Sequence, residues 1–543
     1  MIMTYRRGLF SLFLAAALLL TALPCFAVDS GVTYYIDSIS GSDQNSGTAQ
    51  ASAFQSVEKL KSLSLTPGSK ILFRRGGTYP CELTLTCSGT KDEPILISSY
   101  GDETLGKPRL YTDNHTEVLR LFDCSYVTVS DLEFTAHNGG GIWIDALQQT
   151  SVGITLTGLD MHDMQNVEWT DRDNLSNGAA DARACVMVKG LPARSRFAVN
   201  DLTVTDCEMY DCGNGISLWG SWNDEQTPWC EEEDIDPIFN TGALVKNVYF
   251  HDMDAESIIV GICDGALVTH CRSIDCCQGP GLDENGEIKY FNASMWFWGS
   301  VNSTIEYCEI AGQKNVGDGM SVDFDSYSHH CTYQYIYSHD NQRFMCNNPN
   351  HSGHHGNVVR YCLSVNDSGG SNRLGGSAKE YGIQFYNNTI INCQDFDISR
   401  IPDGLVANNI FAPLPGYSVR YDLDAKKQNT LITNNCYYNT LIPVVDRRPV
   451  TAPPGFASSD FSDPDSFRLV AGSPLLRKGV DTGCELTEDF FGNPITGNSI
   501  GCYAADGVPG SYPTAQRFTF VFRYLRVILQ TLKVIILQEL LNQ

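Results

Sequence analysis

The sequence predicts an all-β fold, a right-handed parallel β-helix followed by a C-terminal amphipathic helix. Three observations carry that prediction. One unit keeps returning: "YVTVSDLEFTAHNGGGIWID", "FAVNDLTVTDCEMYDCGNGISLWG", "ALVKNVYFHDMDAESIIVGI", "STIEYCEIAGQKNVGDGMSVDFD" and "HGNVVRYCLSVNDSGG". Each unit has a short β-rich run, an Asp or Asn, a second apolar run, a turn and a third short run. A spacing of about 20 to 30 residues with three runs per unit marks a β-solenoid. The Asp and Asn between runs suit tight corners, because they tolerate left-handed backbone and bond to their own chain. Leucine-rich patterns are missing, and amphipathic helical periods are scarce before the C-terminus.

The elements follow in order. Residues 1–27 carry Arg6 and Arg7, an apolar run broken by Pro24, and small residues Cys25 and Ala27 before a cut. That is a secretory signal peptide, so the protein is expected to be secreted. Residues 28–110 form an N-terminal cap and first coils, 111–440 the β-helix core, and 441–505 a closing coil and cap. The segment 506–543 is a linker and helix, "RFTFVFRYLRVILQTLKVIILQELLNQ", with Arg523, Arg526 and Lys533 interrupting its apolar run. These charges make it a poor membrane span. Three placements stay open: on a membrane surface, on a partner, or against the end of the solenoid. A monomer is expected.

Composition narrows the function. With 42% hydrophobic and 18% charged residues, the chain of 543 residues is a folded one. A net charge of −26 excludes general nucleic-acid binding, which needs Lys and Arg against phosphates. An anionic sugar stays open, through a bound cation or a local basic patch. The signal peptide removes one cysteine, Cys25, and leaves 19 of the 20. That odd number implies at least one free thiol. Many recur at equivalent places ("TDCEMYDC", "THCRSIDCC", "EYCEI", "RYCLSV") and read as small buried hydrophobes. Disulfides between some pairs stay open.

Alternation then sorts the third run of each unit into two faces. In "GIWID" the inward residues are Ile142 and Ile144, and Trp143 and Asp145 face outward. In "GISLWG" Ser217 and Trp219 face outward, and in "SMWFWG" Trp296 and Trp298 do so. In "GMSVDFD" Met320, Val322 and Phe324 read as inward, and Ser321, Asp323 and Asp325 as outward. One outer face thus lines up Asp145, Lys189, Trp219, Trp296, Trp298, Asp323 and Asp325, with Arg373 from a later coil. Tryptophans pack on sugar C–H faces and carboxylates bond hydroxyls or move protons, so the face is expected to be a sugar groove. The alternative is that the insertion "SWNDEQTPWCEEEDIDPIFN" buries the tryptophans as a loop core.

Carboxylates at i and i+2 lie about 6.5 to 7 Å apart along a strand. That is near the lower end of the roughly 6.5 to 9.5 Å of inverting glycosidases. Their mutual repulsion raises one of them and favours a general acid. The same pair with Asp318 offers hard oxygen ligands for Ca²⁺, although Asp318 in "VGDG" also reads as a turn former. His351, His354 and His355 in "NNPNHSGHH" read as an exposed loop or a metal site.

The stretches "YYIDSISGSDQNSGTAQASAFQSVEKL", "PGSKILFRRGGTY" and "PILISSYG" resemble the entry region of secreted pectate-lyase-like β-helix proteins. "AGSPLLRKGVDTG" and "DFFGNPITGNSIGCYA" resemble the closing coil of the same superfamily. That resemblance covers nearly the whole mature chain and implies polysaccharide lyases, glycosidases, epimerases or tailspikes. "YSHDN", with His339 and Asp340, resembles a motif near the acidic site of β-helix glycosidase-like proteins. The polygalacturonase pattern is echoed only in order, by Gly317-Asp318-Gly319, Asp323-Phe324-Asp325, Gly353-His354-His355-Gly356 and Asn372-Arg373-Leu374. Family-nine pectate lyases are similar in "DGMSVDFD" followed by Arg373-Leu-Gly-Gly, with Arg in place of their lysine base.

The leading expectation is a glycoside hydrolase on a polysaccharide or oligosaccharide, without a cofactor. Asp323 and Asp325 would be acid and base in either order. Asp318, His339 and Asp340 would support them, and Trp219, Trp296 and Trp298 would form subsites, with Asp145, Lys189 and Arg373 contacting substrate. The alternatives are a Ca²⁺-dependent lyase (Asp318, Asp323 and Asp325 on calcium, Arg373 or Lys189 as base) and a non-catalytic carbohydrate-binding solenoid.

Overall fold

The structure, a computed structural model, describes residues 31–164, 183–189, 196–222, 237–279, 291–347, 355–368, 372–375, 382–392, 396–400, 403–415, 421–422, 429–440 and 445–506. The expected signal peptide and C-terminal helix lie outside these residues, as do His351 and His354. The described chain is a three-sided parallel β-helix. Its first sheet has 14 strands, from Thr33–Ile36 to Leu431–Thr433, and its second has 13, from Thr78–Pro80 to Cys436–Tyr437. The third has nine, from Leu83–Leu85 to Arg343–Asn347. A further three-stranded sheet, Asn372–Gly375, Phe396–Arg400 and Tyr421–Asp422, lies beside its last strand. One coil comprises Thr304–Glu306, Glu309–Ala311 and Met320–Phe324. The next comprises Thr332–Gln334, Tyr337–His339 and Arg343–Asn347, each strand pairing in parallel with its counterpart.

Two residues link the first sheet to the second. The leading one is left-handed in coil after coil, with φ between +51° and +57° at Asp131, Asp206, Asn247, Tyr307, Tyr335, Asn387 and Asn408. The second points into the core. Leu132, Cys207, Val248, Cys271, Cys308 and Cys362 fill it in turn, so cysteine serves here as a compact hydrophobe. Burial pushes the Cys207 and Cys362 thiols up to about 12. The sixteen cysteines whose side chains are described are unbridged.

Toward the end of the stack asparagine takes over that position and builds a ladder. Asn388 N and Nδ2 donate to Asn409 Oδ1 (2.9 and 3.1 Å), and Asn409 N and Nδ2 donate to Asn435 Oδ1 (2.9 Å each). Each side chain thereby satisfies a corner backbone group of its neighbour, which is why a polar residue is tolerated at zero exposure.

The closing segment does more than cap the last coil. After completing the stack at Val450 it runs back along the first-to-second corner. Asn434 Nδ2 donates to Lys478 O (2.8 Å), Asn408 Nδ2 to Val480 O (2.9 Å), Asn387 Nδ2 to Ser499 O (2.9 Å) and Tyr335 Oη to Glu488 O (2.7 Å). The stacked tyrosines Tyr307 and Tyr335 (4.5 Å) belong to the apolar cluster this strap covers. Asn408 also accepts from Val480 N at 2.9 Å. Asn408→Ala removes both strap bonds and puts a β-carbon residue without a polar side chain at φ +57°. The expected cost is about 2 to 4 kcal/mol by chemical denaturation, with protease cleavage after residue 475 accelerating first.

Candidate active site

The third sheet aligns its outer face in columns. Register pairs Trp143 with Met187, Met187 with Ser217, Ser217 with Ile259, Ile259 with Trp296, and Trp296 with Asp323. A second outer column pairs Asp145 with Lys189, and Trp219 with Gly261 and then Trp298. Asp325 N donates to Phe297 O at 2.9 Å, which sets Asp325 beside Trp298. The sheet thus brings Asp323, Asp325, Trp219, Trp296 and Trp298 onto one face. Val322 and Phe324 turn inward into the core, as their alternation requires.

The face is walled in. Trp219, Trp296 and Trp298 are only 5–7% exposed and pack edge to face, Trp219 lying 6.3 Å from Trp296 and 6.0 Å from Trp298. Tyr327 stands against Trp298 at 5.8 Å, and Met187, Ile259, Ala293 and Met320 belong to the same cluster. The tryptophans are therefore an aromatic wall rather than open platforms. Met320 and Ser321 also depart from simple alternation. Met320 joins the outer cluster, while Ser321 turns into the solenoid, where Asn341 Nδ2 donates to its Oγ at 2.8 Å. Pleating begins one step late at this corner because Ser321, like Ser257 and Ser294, finds its polar partners inside.

Asp325 is partly buried. Ser326 N and Oγ both donate to its Oδ1, at 2.7 and 3.1 Å. Burial nevertheless pushes its carboxyl up to about 6, against those two bonds. Asp323 is 5% exposed. Its backbone carbonyl accepts from Tyr333 Oη at 2.5 Å.

Asp318 lies at the entry edge of the same strand. Arg343 Nη1 donates to its Oδ1 at 3.1 Å and to Gly317 O at 3.2 Å. The edge continues through residues that the sequence did not single out. Asn315 Nδ2 donates to Asn292 Oδ1 (3.0 Å), and Asn292 Nδ2 to the buried Glu256 (2.8 Å). Their signal was absent because they sit in corners of unequal length, where register cannot be counted. Arg343, Asn292, Asn315, Glu256 and Tyr327 are the additions.

Other expected site residues lie elsewhere or are already engaged. His339 and Asp340 are on the second sheet, not beside the acids. His339 Nδ1 meets Asp340 Oδ2 at 2.9 Å, its Nε2 meets Glu309 Oε1 at 3.4 Å, and its ring stacks on Tyr337. The same arrangement recurs at His162 with Asp163 and Glu133, and at His251 with Asp252 and Glu208. Burial opposes it, but the bonds to Asp340 and Glu309 push His339 up to about 9. Asp340 has φ +58°, a recurring left-handed corner. These residues form a structural ladder.

Asp145 does lie on the third-sheet face, but it is fully buried and bonded to Arg120. Lys189 is adjacent to Asp145 in register, and Arg373 lies in the strand Asn372–Gly375 paired with Asp397; the side chains of both are outside the described set. Among the described residues no cluster of three or more His, Cys, Asp or Glu is arranged around a metal position.

No family model matches the chain. A lacto-N-biosidase of Bifidobacterium longum subsp. longum is 24% identical over 88% of this chain, which spans 37% of that relative's length. A crystal structure of a GH136 lacto-N-biosidase from Eubacterium ramulus aligns with 77% of this chain and 67% of its own, at 19% identity and a TM-score of 0.49. The complex of XylC with xylose aligns with 88% of this chain and 99% of its own, at 10% identity and a TM-score of 0.54. The strand order and this last likeness agree, and the chain has a parallel β-helix fold.

Proposed function

We propose that the chain is a glycoside hydrolase acting on an oligosaccharide, with Asp325 as its general acid. The carrying observation is the Asp325 carboxyl, held by Ser326 beside the Trp298 wall and raised to about 6, so that it keeps its proton in mildly acid solution. Asp323, two residues away and about 6.5 to 7 Å along the strand, takes the part of the general base. Carboxyl groups that far apart would suit inversion, and a shorter separation retention. Asp325 gives its proton to the glycosidic oxygen as the C1–O bond breaks. Asp323 takes a proton from the water that attacks C1 from the opposite side. Neither step needs a metal or cofactor. The sequence likeness to a lacto-N-biosidase makes a lacto-N-bioside the first substrate to test. Export through residues 1–27 belongs to the same proposal and rests on the basic start, apolar run and small residues before a cut. In the calcium reading, Asp318 would have to exchange the Arg343 guanidinium for the cation.

The test compares Asp318→Asn, Asp323→Asn and Asp325→Asn on alkyl and aryl lacto-N-biosides, with and without a chelator. Asp325→Asn should lower kcat/KM on the alkyl substrate by about 10² to 10⁴, and far less on an aryl substrate whose leaving group needs no proton. Wild-type turnover in Asp325→Asn would sink the assignment, and chelator-sensitive formation of unsaturated products would replace it with the lyase.

The pH dependence has a defined sign. As an acid, Asp325 should make kcat/KM fall as pH rises through about 6. Its folded pKa lies above the ordinary value of 3.8. The stability it contributes is therefore complete below about 4 and is lost as pH rises to 6. Asp325→Asn should match the parent in Tm near pH 4 and exceed it above pH 6, measured by calorimetry.

A further inference from the structure

We propose that Tyr333, a core residue of the first sheet, is a positioning residue for the acid pair. The inference rests on the hydrolase reading above. Tyr333 is fully buried, with its ring centroid 4.6 Å from that of Phe324 and 5.0 Å from that of Phe297. A phenol in such surroundings must find an acceptor. It reaches across the solenoid to the backbone carbonyl of Asp323 (2.5 Å), with Met295 O at 3.4 Å. Burial raises the phenol well above its ordinary range, so it stays a donor throughout the working pH range.

The same strand is pinned from inside at a second point. Ser321 Oγ meets Ser338 Oγ of the second sheet and accepts from Asn341 Nδ2. Ser338 Oγ and Ser364 Oγ both donate to the buried Asp367 (2.6 Å each), and Asn341 Nδ2 donates to it at 2.8 Å. Thus the first sheet fixes position 323 and the second fixes position 321. The bond to the Asp323 carbonyl sets the plane of the Asp323–Phe324 peptide. That plane sets the direction in which the Asp323 side chain leaves the opposite face and, one residue on, where Asp325 stands. Misplacement of such groups by about 1 Å costs up to about a hundredfold in rate.

Tyr333→Phe removes the hydroxyl and keeps the aromatic stack. Tyr437→Phe is the matched control, since it deletes a buried hydroxyl bonded to Asp446 Oδ2 (3.0 Å) in the last coil. Tyr333→Phe should lower kcat about tenfold with KM within about twofold, and should move the alkaline limb of kcat/KM away from pH 6. Tyr437→Phe should leave both unchanged at a comparable loss of Tm. A readout without substrate is the pH at which the Tm curves with and without Asp325→Asn separate, which should move in the Tyr333→Phe background. Wild-type kcat, limb and separation point in Tyr333→Phe, or equal kcat losses in the two variants, would overturn the proposal. If Asp325→Asn is inactive while Tyr333→Phe is normal, only the positioning role fails. If Asp325→Asn retains full turnover, the hydrolase reading itself fails.

Discussion

The left-handed residue at the corner between the first and second sheets is the constraint on which the rest of the structure depends. It holds the link at two residues in coil after coil, so strands stack without slipping. A one-residue slip would exchange the inner and outer faces of every following strand. Along the three long sheets the paired strands keep register, so side chains far apart in sequence fall into columns. Trp219 and Trp298 flank Gly261 across three coils. The corner thus determines chemistry by deciding which residues meet, although it takes no part in the chemistry itself.

The solenoid interior is apolar in its early coils and takes in polar groups at particular positions of its later ones, beside apolar residues such as Ile390 and Phe411. Corner positions pass from Leu132 and cysteines to Asn388, Asn409 and Asn435, while Ser273, Ser338 and Ser364 replace apolar residues on the second sheet. Such groups are costly to bury unless every donor finds an acceptor. Here they are tied into chains that cross from sheet to sheet. The strand with Asp323 lies where these chains reach the third sheet. The site therefore rests on directional bonds rather than on adaptable hydrophobic packing alone.

The repeat was legible in the sequence because its physical cause is local. Asn and Asp mark left-handed corners, alternation marks faces, and recurring cysteines mark one small inward position. The columns containing Trp296 and Asp323 follow from those three facts. What failed to be legible depended on contacts between distant segments. Ser321 and Met320 reverse their expected faces because Asn341 and Ser338 are in reach inside. The burial of the tryptophans depends on how they pack on one another across coils. His339 looked like a companion of the acids, being close in sequence, but a corner places it on another sheet. The sequence marks 441–505 as a closing coil and cap, but the return of residues 476–505 along the flank gave no signal, since its bonds to Asn387, Asn408 and Asn434 use side chains that read only as turn formers.

That strap gives the fold an unusual mechanical direction. The described chain reaches its C-terminal end on the flank of the stack, where Cys502 N bonds Thr389 Oγ1 and Gly501 N bonds Asn408 O, rather than beyond the last coil. A load applied at residue 506 would therefore enter sideways. It would peel the strap one anchor at a time, whereas a pull along the axis would have to shear whole rows of strand bonds together. Among the described residues the closing segment would be the first to yield under such a load, and its anchor on Tyr335 brings that load to the coil next to the one carrying Asp323 and Asp325.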